Sequence, residues 1–199
     1  MKFRLLPVIA LFLITTPSLA QSNYTDSLKA HRHKYIADLF DVIKNDTAFI
    51  SFFPANKHMV VEARVELLAN EKPFKMITSS GKSKEAQKYA CLRFTLNGKE
   101  YQLYTYQLLQ LKEKTATAND LFLPFIDRTC GKESYGGGRY IDLLITDIHN
   151  NKIEIDFNKA YNPYCAFTTG YNCPIPPREN TLPIAIKAGE KYRKEKFKH

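Results

Sequence analysis

Tyr89-Ala90-Cys91-Leu92-Arg93-Phe94-Thr95-Leu96-Asn97-Gly98-Lys99-Glu100-Tyr101-Gln102-Leu103 reads as a β-hairpin. Asn97-Gly98 tolerates the positive φ angles of a two-residue type I′ turn. Folding about that turn sets Phe94 opposite Tyr101 and Leu92 opposite Leu103, with Leu96 on the same face. Arg93 and Thr95 then fall with Glu100 and Gln102 on the other face. Turn chemistry and period-two alternation thus specify the same register. Working outward, β-branched and aromatic runs recur at 60–68, 74–78 and 101–108. Residues 24–45 differ, with Leu28, Tyr35, Ile36, Leu39, Phe40 and Ile43 at roughly helical spacing and Thr25 or Asp26 available as a cap. The expectation is a mainly β protein with one N-terminal helix, an antiparallel β-barrel or sandwich in a single domain.

A second hairpin is predicted between 140–148 and 153–157. A two-residue loop at Asn150-Asn151 would oppose Asp147 to Glu154 and Ile145 to Asp156, so a three-residue loop over His149, Asn150 and Asn151 is preferred. Ile141, Leu143, Ile145, Ile153, Ile155 and Phe157 then share one face, with Asp142, Asp156 and Asn158 on the opposite one. By the same alternation Arg139 falls on the apolar side, where a guanidinium requires a carboxylate. Residues 182–187 are expected to form an edge-compatible strand.

The first twenty residues form an export signal by pattern. Lys2 and Arg4 precede a ten-residue apolar run, and Ser18-Leu19-Ala20 offers the small residues that signal peptidase accepts. That run is too short to span a bilayer, which takes about 20 residues. Gln21 follows the expected cut, so a lipoprotein cysteine is lacking there. Losing residues 1–20 removes two basic residues and no acid, which lowers the net charge from +9 to +7. The expected layout is a signal peptide at 1–20, a helical segment at 21–58 lying on a β domain at 59–189, and a basic tail at 190–199. Residues 187–198 carry Lys187, Lys191, Arg193, Lys194, Lys196 and Lys198, which outside the cell favours anionic envelope surfaces over nucleic acid. The mature chain is expected to be periplasmic or secreted, with no transmembrane segment.

In an oxidising compartment four cysteines suggest disulfides, with three pairings open. Cys165 with Cys173 is favoured because a proline-rich loop surrounds them, and Cys91 with Cys130 would follow. No CxxC spacing points to a metal, and His31 and His33 lie on nearly opposite sides of a helix, so no metal or cofactor is expected.

Most of the unusual composition lies in residues 121–191. Leu121-Phe122-Leu123-Pro124-Phe125-Ile126-Asp127 is followed by Tyr135-Gly136-Gly137-Gly138-Arg139-Tyr140-Ile141-Asp142. Asp156-Phe157-Asn158-Lys159-Ala160-Tyr161-Asn162-Pro163-Tyr164-Cys165 comes next, then Cys173-Pro174-Ile175-Pro176-Pro177-Arg178-Glu179-Asn180 and Ala188-Gly189-Glu190-Lys191. This order of motifs resembles the bacterial family catalogued as domain of unknown function 1684, with Ser134 where Thr is expected. The resemblance implies a shared fold and no particular reaction.

The glycine run lacks the Walker ending and the dinucleotide fingerprint. A bulge or tight bend is its ordinary role, and amides aimed at an anion the alternative. Three functions are carried forward. The first is a binding module for a small or polymeric ligand, an anion included, or for the envelope. Its rim would combine the Gly136-to-Arg139 turn with the loop from Cys165 to Asn180, and Asp127, Arg139, Asp156, Asn158, Tyr161, Asn162, Glu179 and Asn180 are the candidate contacts. The second is a hydrolase in which Asp127, Asp142, Asp156 or Glu179 serve as acid and base and Arg139 stabilises charge. The third is a structural protein without a small-molecule site that makes contact through its basic tail.

Overall fold

A computed structural model describes residues 19–197. All but the last two positions of the expected signal lie outside the described residues. The chain opens with α1 (Leu19–Ile43), which continues into a 3-10 segment (Lys44–Phe49). Seven strands follow: β1 (Val60–Leu67), β2 (Phe74–Ile77), β3 (Ser83–Leu96), β4 (Lys99–Leu108), β5 (Asp120–Phe125), β6 (Arg139–Leu144) and β7 (Lys152–Asp156). They form one antiparallel sheet in the order β6-β5-β4-β3-β1-β7, with β2 added alongside β3. The sheet curls into a half-barrel, and the fold is a single domain.

The β3–β4 hairpin has the register read from sequence. Phe94 faces Tyr101 and Leu92 faces Leu103, and Asn97 and Gly98 both take positive φ. Leu92, Phe94, Leu96 and Leu103 point into the half-barrel with Ala63 and Val65 of β1, Leu121 and Leu123 of β5, and Ile141 of β6. Burying each of the large side chains contributes roughly 1.5–3 kcal/mol.

The second hairpin does not form. After Leu144 the chain leaves the sheet in a 3-10 turn (Ile145–Asp147), and β7 then pairs with β1 at the opposite edge from β6. The loop is the rejected two-residue turn: Asn150 and Asn151 both have positive φ, and His149 and Lys152 exchange 2.9 Å backbone hydrogen bonds. The charge clash that counted against this turn arises only in an extended ladder, and no ladder is present. The apolar alternation was still informative. Ile141, Leu143, Ile153, Ile155 and Phe157 are all buried in one core. Alternation reports which face a residue occupies and leaves the partner strand undefined.

Residues 182–187 form no strand, although Leu182 and Ile186 are buried in the core. Pro183 has no N–H to donate to a ladder. The segment is instead tied by two backbone bonds, Leu182 N–H to Ile126 O at 2.8 Å and Arg128 N–H to Ile184 O at 2.9 Å. Of the expected basic tail, the described residues are anchored at Glu190 and Phe197, with 193–196 exposed between them. Glu190 is fully buried, and Phe197 lies against Leu39 and Ile43 of α1 and Phe167. Helix α1 meets the domain along Tyr24, Leu28, Tyr35, Leu39 and Ile43, one stripe at helical spacing, while Phe40 is exposed.

Candidate functional site

Strand β6 presents two faces. Arg139, Ile141 and Leu143 pair with Phe125, Leu123 and Leu121 on the inside, so Tyr140 and Asp142 lie outside beside Pro124 and Phe122 of β5. Tyr161 joins them by a two-way backbone bridge to Tyr140, 2.9 and 3.0 Å. The chain that follows, through Cys173 and Pro174, covers this outer face, held by the Tyr140 hydroxyl donating to Pro174 O.

Between sheet and loop lies a cavity of about 480 Å³, within the 300–1,000 Å³ range of small-molecule sites. Its lining includes Phe122, Tyr140, Tyr161, Tyr164 and Tyr171, with Leu108 and Leu111 beneath the loop. Phe122 and Tyr140 meet edge to face at 4.6 Å between ring centres, as do Tyr164 and Tyr171 at 5.0 Å. The latter two rings are exposed.

Asp120, Asp142 and Lys84 are the charged side chains on the wall. Both oxygens of Asp142 lie 2.9 Å from the Tyr161 hydroxyl, which donates to them. Asp142 reaches solvent but is crowded by protein. That crowding, reinforced by the like charge of Asp120, lifts its carboxyl above the ordinary value against the opposing Tyr161 hydrogen bond. Tyr161 is itself held well above the usual phenol range by burial and by Asp142. A smaller recess of about 330 Å³ that shares Tyr161 and Tyr164 is lined by His31, Lys34, Tyr35 and Asp38 of α1, and Asp142 borders it too.

Of the eight contacts proposed from sequence for a binding rim, only Tyr161 lines this cavity, joined by Asp142, proposed as a hydrolase carboxylate, and by Cys173; the other seven are engaged in networks elsewhere. Arg139 is fully buried and donates to Asp127 Oδ2 at 2.5 Å, to Ile186 O at 2.8 Å, to Glu190 O at 3.2 Å and to Ala188 O. The other Asp127 oxygen accepts from the amide and hydroxyl of Thr129, at 2.5 and 2.6 Å. Asp156 Oδ1 caps the next turn by accepting from the amide and side chain of Asn158, and also receives the Tyr24 hydroxyl. Asn158 in turn exchanges hydrogen bonds with the Asn56 backbone at 2.9 Å.

Asn180 acts as a missing strand residue. Its side chain bonds both N–H and C=O of Tyr104 in β4 and also Pro124 O in β5, filling the gap where those strands share a single register pair, Tyr106 with Phe122. Glu179 pairs with Lys88 at 3.0 Å and accepts from the Tyr106 hydroxyl. Asn162 donates its amide to Glu190 Oε2 at 2.7 Å and its side chain to Lys191 O.

The glycine turn has a steric role at Gly138. Its φ is +93°, and a Cβ there would lie 2.6 Å from Pro176 and 2.8 Å from Phe125 O. Gly136 and Gly137 do border a separate recess with Lys132 and Lys194, but Arg139 is not on its wall. Gly138 thus lets the proline-rich loop approach the sheet.

The expected disulfides are not formed, and all four cysteines are free. Cys91 lies on β3 between Glu66 and Tyr104, while Cys130 is turned toward Asp127 N–H and Ser134, so these two have separate surroundings. Cys165 and Cys173 are neighbours: the Cys165 amide donates to Cys173 Sγ at 3.3 Å. The Cys173 thiol hydrogen bond lowers Cys165 to about 6 and raises Cys173. Among the described residues no group of three or more His, Cys, Asp or Glu side chains is placed to hold a metal ion, and no helix is long and apolar enough to cross a membrane.

Sequence reasoning passed over Phe122, Tyr140 and Tyr164 as site residues, and treated Asp142 only as one carboxylate among several. Their signal was available in β6, where an acid and a tyrosine alternate with buried aliphatics.

Sheet, helix and loop define a small antiparallel half-barrel with an aromatic recess on its outer face. The chain belongs to the family described as Protein of unknown function (DUF1684), whose model matches residues 47–191. It is similar, at 28% identity, to an uncharacterized protein from Haloarcula marismortui solved in solution by NMR. That likeness has a TM-score of 0.66 and covers 86% of this chain and 96% of the other. No curated protein matches the chain significantly.

Proposed function

We propose that this protein is a small-ligand binding module, exported by its first twenty residues, and that the ligand occupies the recess between β5–β6 and the loop from Tyr161 to Pro174. The observation that carries this reading is a cavity of about 480 Å³ whose wall combines five aromatic rings and three leucines with the charged groups Lys84, Asp120 and Asp142. The buried networks of Arg139 with Asp127 and of Asp156 with Asn158 argue against a site at the glycine turn and against a hydrolase built from Asp127 and Asp156, while Glu179 is engaged by Lys88. Export suits the structure, since the contacts docking α1 include Tyr24 and Leu28, which lie beyond the expected cut after Ala20.

Titrating the protein with a panel of phenyl and branched-alkyl amines, alcohols and carboxylates, followed by amide chemical shifts, tests the reading. Shifts are expected to centre on Phe122, Tyr140, Asp142, Tyr161 and Tyr171. Shifts centred on Gly136 and Lys194, or none with any compound, would overturn it. N-terminal sequencing of protein recovered outside the cytoplasm should begin at Gln21, and retention of Met1 inside the cell would refute the address.

A further inference from the structure

Building on the binding reading, we infer that the recess takes an organic cation, with an ammonium head beside Asp142 and an apolar body against Phe122, Tyr140 and Tyr164. The charge of Asp142 is not neutralised from within: among the described residues no lysine, arginine or histidine lies within salt-bridge distance of it. Lys34, on the neighbouring recess, is already paired with Asp38 at 2.6 Å. Asp120 adds a second acid to the same cavity.

Rings surround this acid on several sides. Phe122 is its cross-strand partner, Tyr161 holds its oxygens, and Tyr164 stands at the opening. Aromatic faces attract a cation through their quadrupole, by about 0.5–1 kcal/mol when exposed and about 2 or more once water is excluded. A carboxylate fixed by one hydroxyl keeps acceptor capacity for a further partner, because each of its oxygens carries two lone pairs. A neutral ligand would leave the charge of Asp142 without a counter-ion, and an anion would be repelled by both acids. Lys84 also lines the cavity, but it is not among the groups acting on Asp142 and so leaves that end open to an external cation.

Three probes of the same shape separate charge from fit: choline, the neutral 3,3-dimethylbutan-1-ol, and 3,3-dimethylbutanoate. Choline has no N–H, so its preference reports charge and not hydrogen bonding by the head. In NMR titrations of the wild-type protein at low salt, choline should bind at least tenfold more tightly than the alcohol, and the carboxylate more weakly than either. Asp142→Asn should bring choline to the level of the alcohol while leaving the alcohol's affinity unchanged and the protein no less stable. If the alcohol equals choline and both shift the recess residues, the cation inference fails and the binding reading survives. A carboxylate preference lost in Lys84→Ala also overturns the inference. If no probe, nor any member of the wider panel, perturbs the recess, both readings fall together.

Discussion

Arg139 and Asp142 stand three residues apart on one strand, and the fold treats their charges in opposite ways. Arg139 turns inward and is enclosed by an acid and three backbone carbonyls, with no exposed surface. Asp142 turns outward, keeps one tyrosine as partner, and faces a cavity. The inward charge is a building element. The carbonyls of Ile186, Ala188 and Glu190 belong to a segment that forms no strand, and the guanidinium supplies donors that a neighbouring strand would otherwise give. The outward charge has no such duty, and an incompletely partnered charge in a concave, aromatic setting is where recognition is expected.

The largest effect should come from breaking the inward pair. Asp127→Ala leaves Arg139 buried without its acid and should cost about 3–5 kcal/mol in urea unfolding. A buried pair can often be replaced by apolar residues at little cost. Here Asp127→Leu with Arg139→Met should stay unstable, since each carbonyl left without a donor costs about 1–3 kcal/mol. Recovery of wild-type stability in the double variant would show that the carbonyl contacts contribute nothing.

An effect of comparable ceiling, set by pH, should come from Glu190, which sits beside the same network. One of its oxygens accepts from the Tyr35 hydroxyl and the Asn162 amide, and the other has no partner among the described residues. Burial pushes its pKa up to about 8, with Arg139 opposing. The folded state then holds a proton that the unfolded chain releases near the ordinary value of 4.5. Stability should therefore decline as pH rises from about 4.5 toward about 8, by no more than ~1.4 kcal/mol per pH unit. Glu190→Gln should flatten that decline in denaturant melts across pH 5–9. An unchanged slope would assign the decline to other groups.

The sequence made the hairpin at Asn97-Gly98 legible because turn chemistry and alternation are both local. It made the inward placement of Arg139 legible for the same reason, and the need for a carboxylate followed from desolvation. What it could not supply was partnership between distant segments. Residues 140–148 and 153–157 read as partners because both alternate toward one core, yet they lie on opposite edges of the curled sheet. Strand β5 carries Pro124, whose missing N–H is tolerated because β4 and β5 share a single register pair and no strand neighbour faces it there, while Asn180, 56 residues away, bonds to its carbonyl. The recess was missed on the same grounds. Its walls come from 84, 108–122, 140–142 and 161–174, and no local motif joins them. Glycine, arginine and paired acids drew attention as chemically active residues, whereas a tyrosine and an aspartate in alternation on a strand looked ordinary.

The smallest effect on stability, and the sharpest contrast with Asp127, should be that of Asp142→Asn. Asp142 is open to solvent, so screening limits what its charge costs the fold, and the change should stay within about 0.5 kcal/mol at neutral pH. The direction can still be assigned. A carboxyl whose folded pKa is raised keeps its proton to higher pH than in the unfolded chain, so the wild-type charge slightly disfavours folding above that range, and asparagine should be neutral or mildly stabilising there. Cation binding should show the reverse dependence, weakening as pH falls through the raised pKa and Asp142 takes up its proton. Asp120, Tyr161, His31, Lys34, Asp38 and Lys84 line the two recesses Asp142 borders, so the same titration in His31→Gln must retain the weakening for Asp142 to be its source. If Asp142→Asn instead unfolded the protein as readily as Asp127→Ala, the outward charge would belong to the scaffold, and the distinction between the two faces of β6 would disappear.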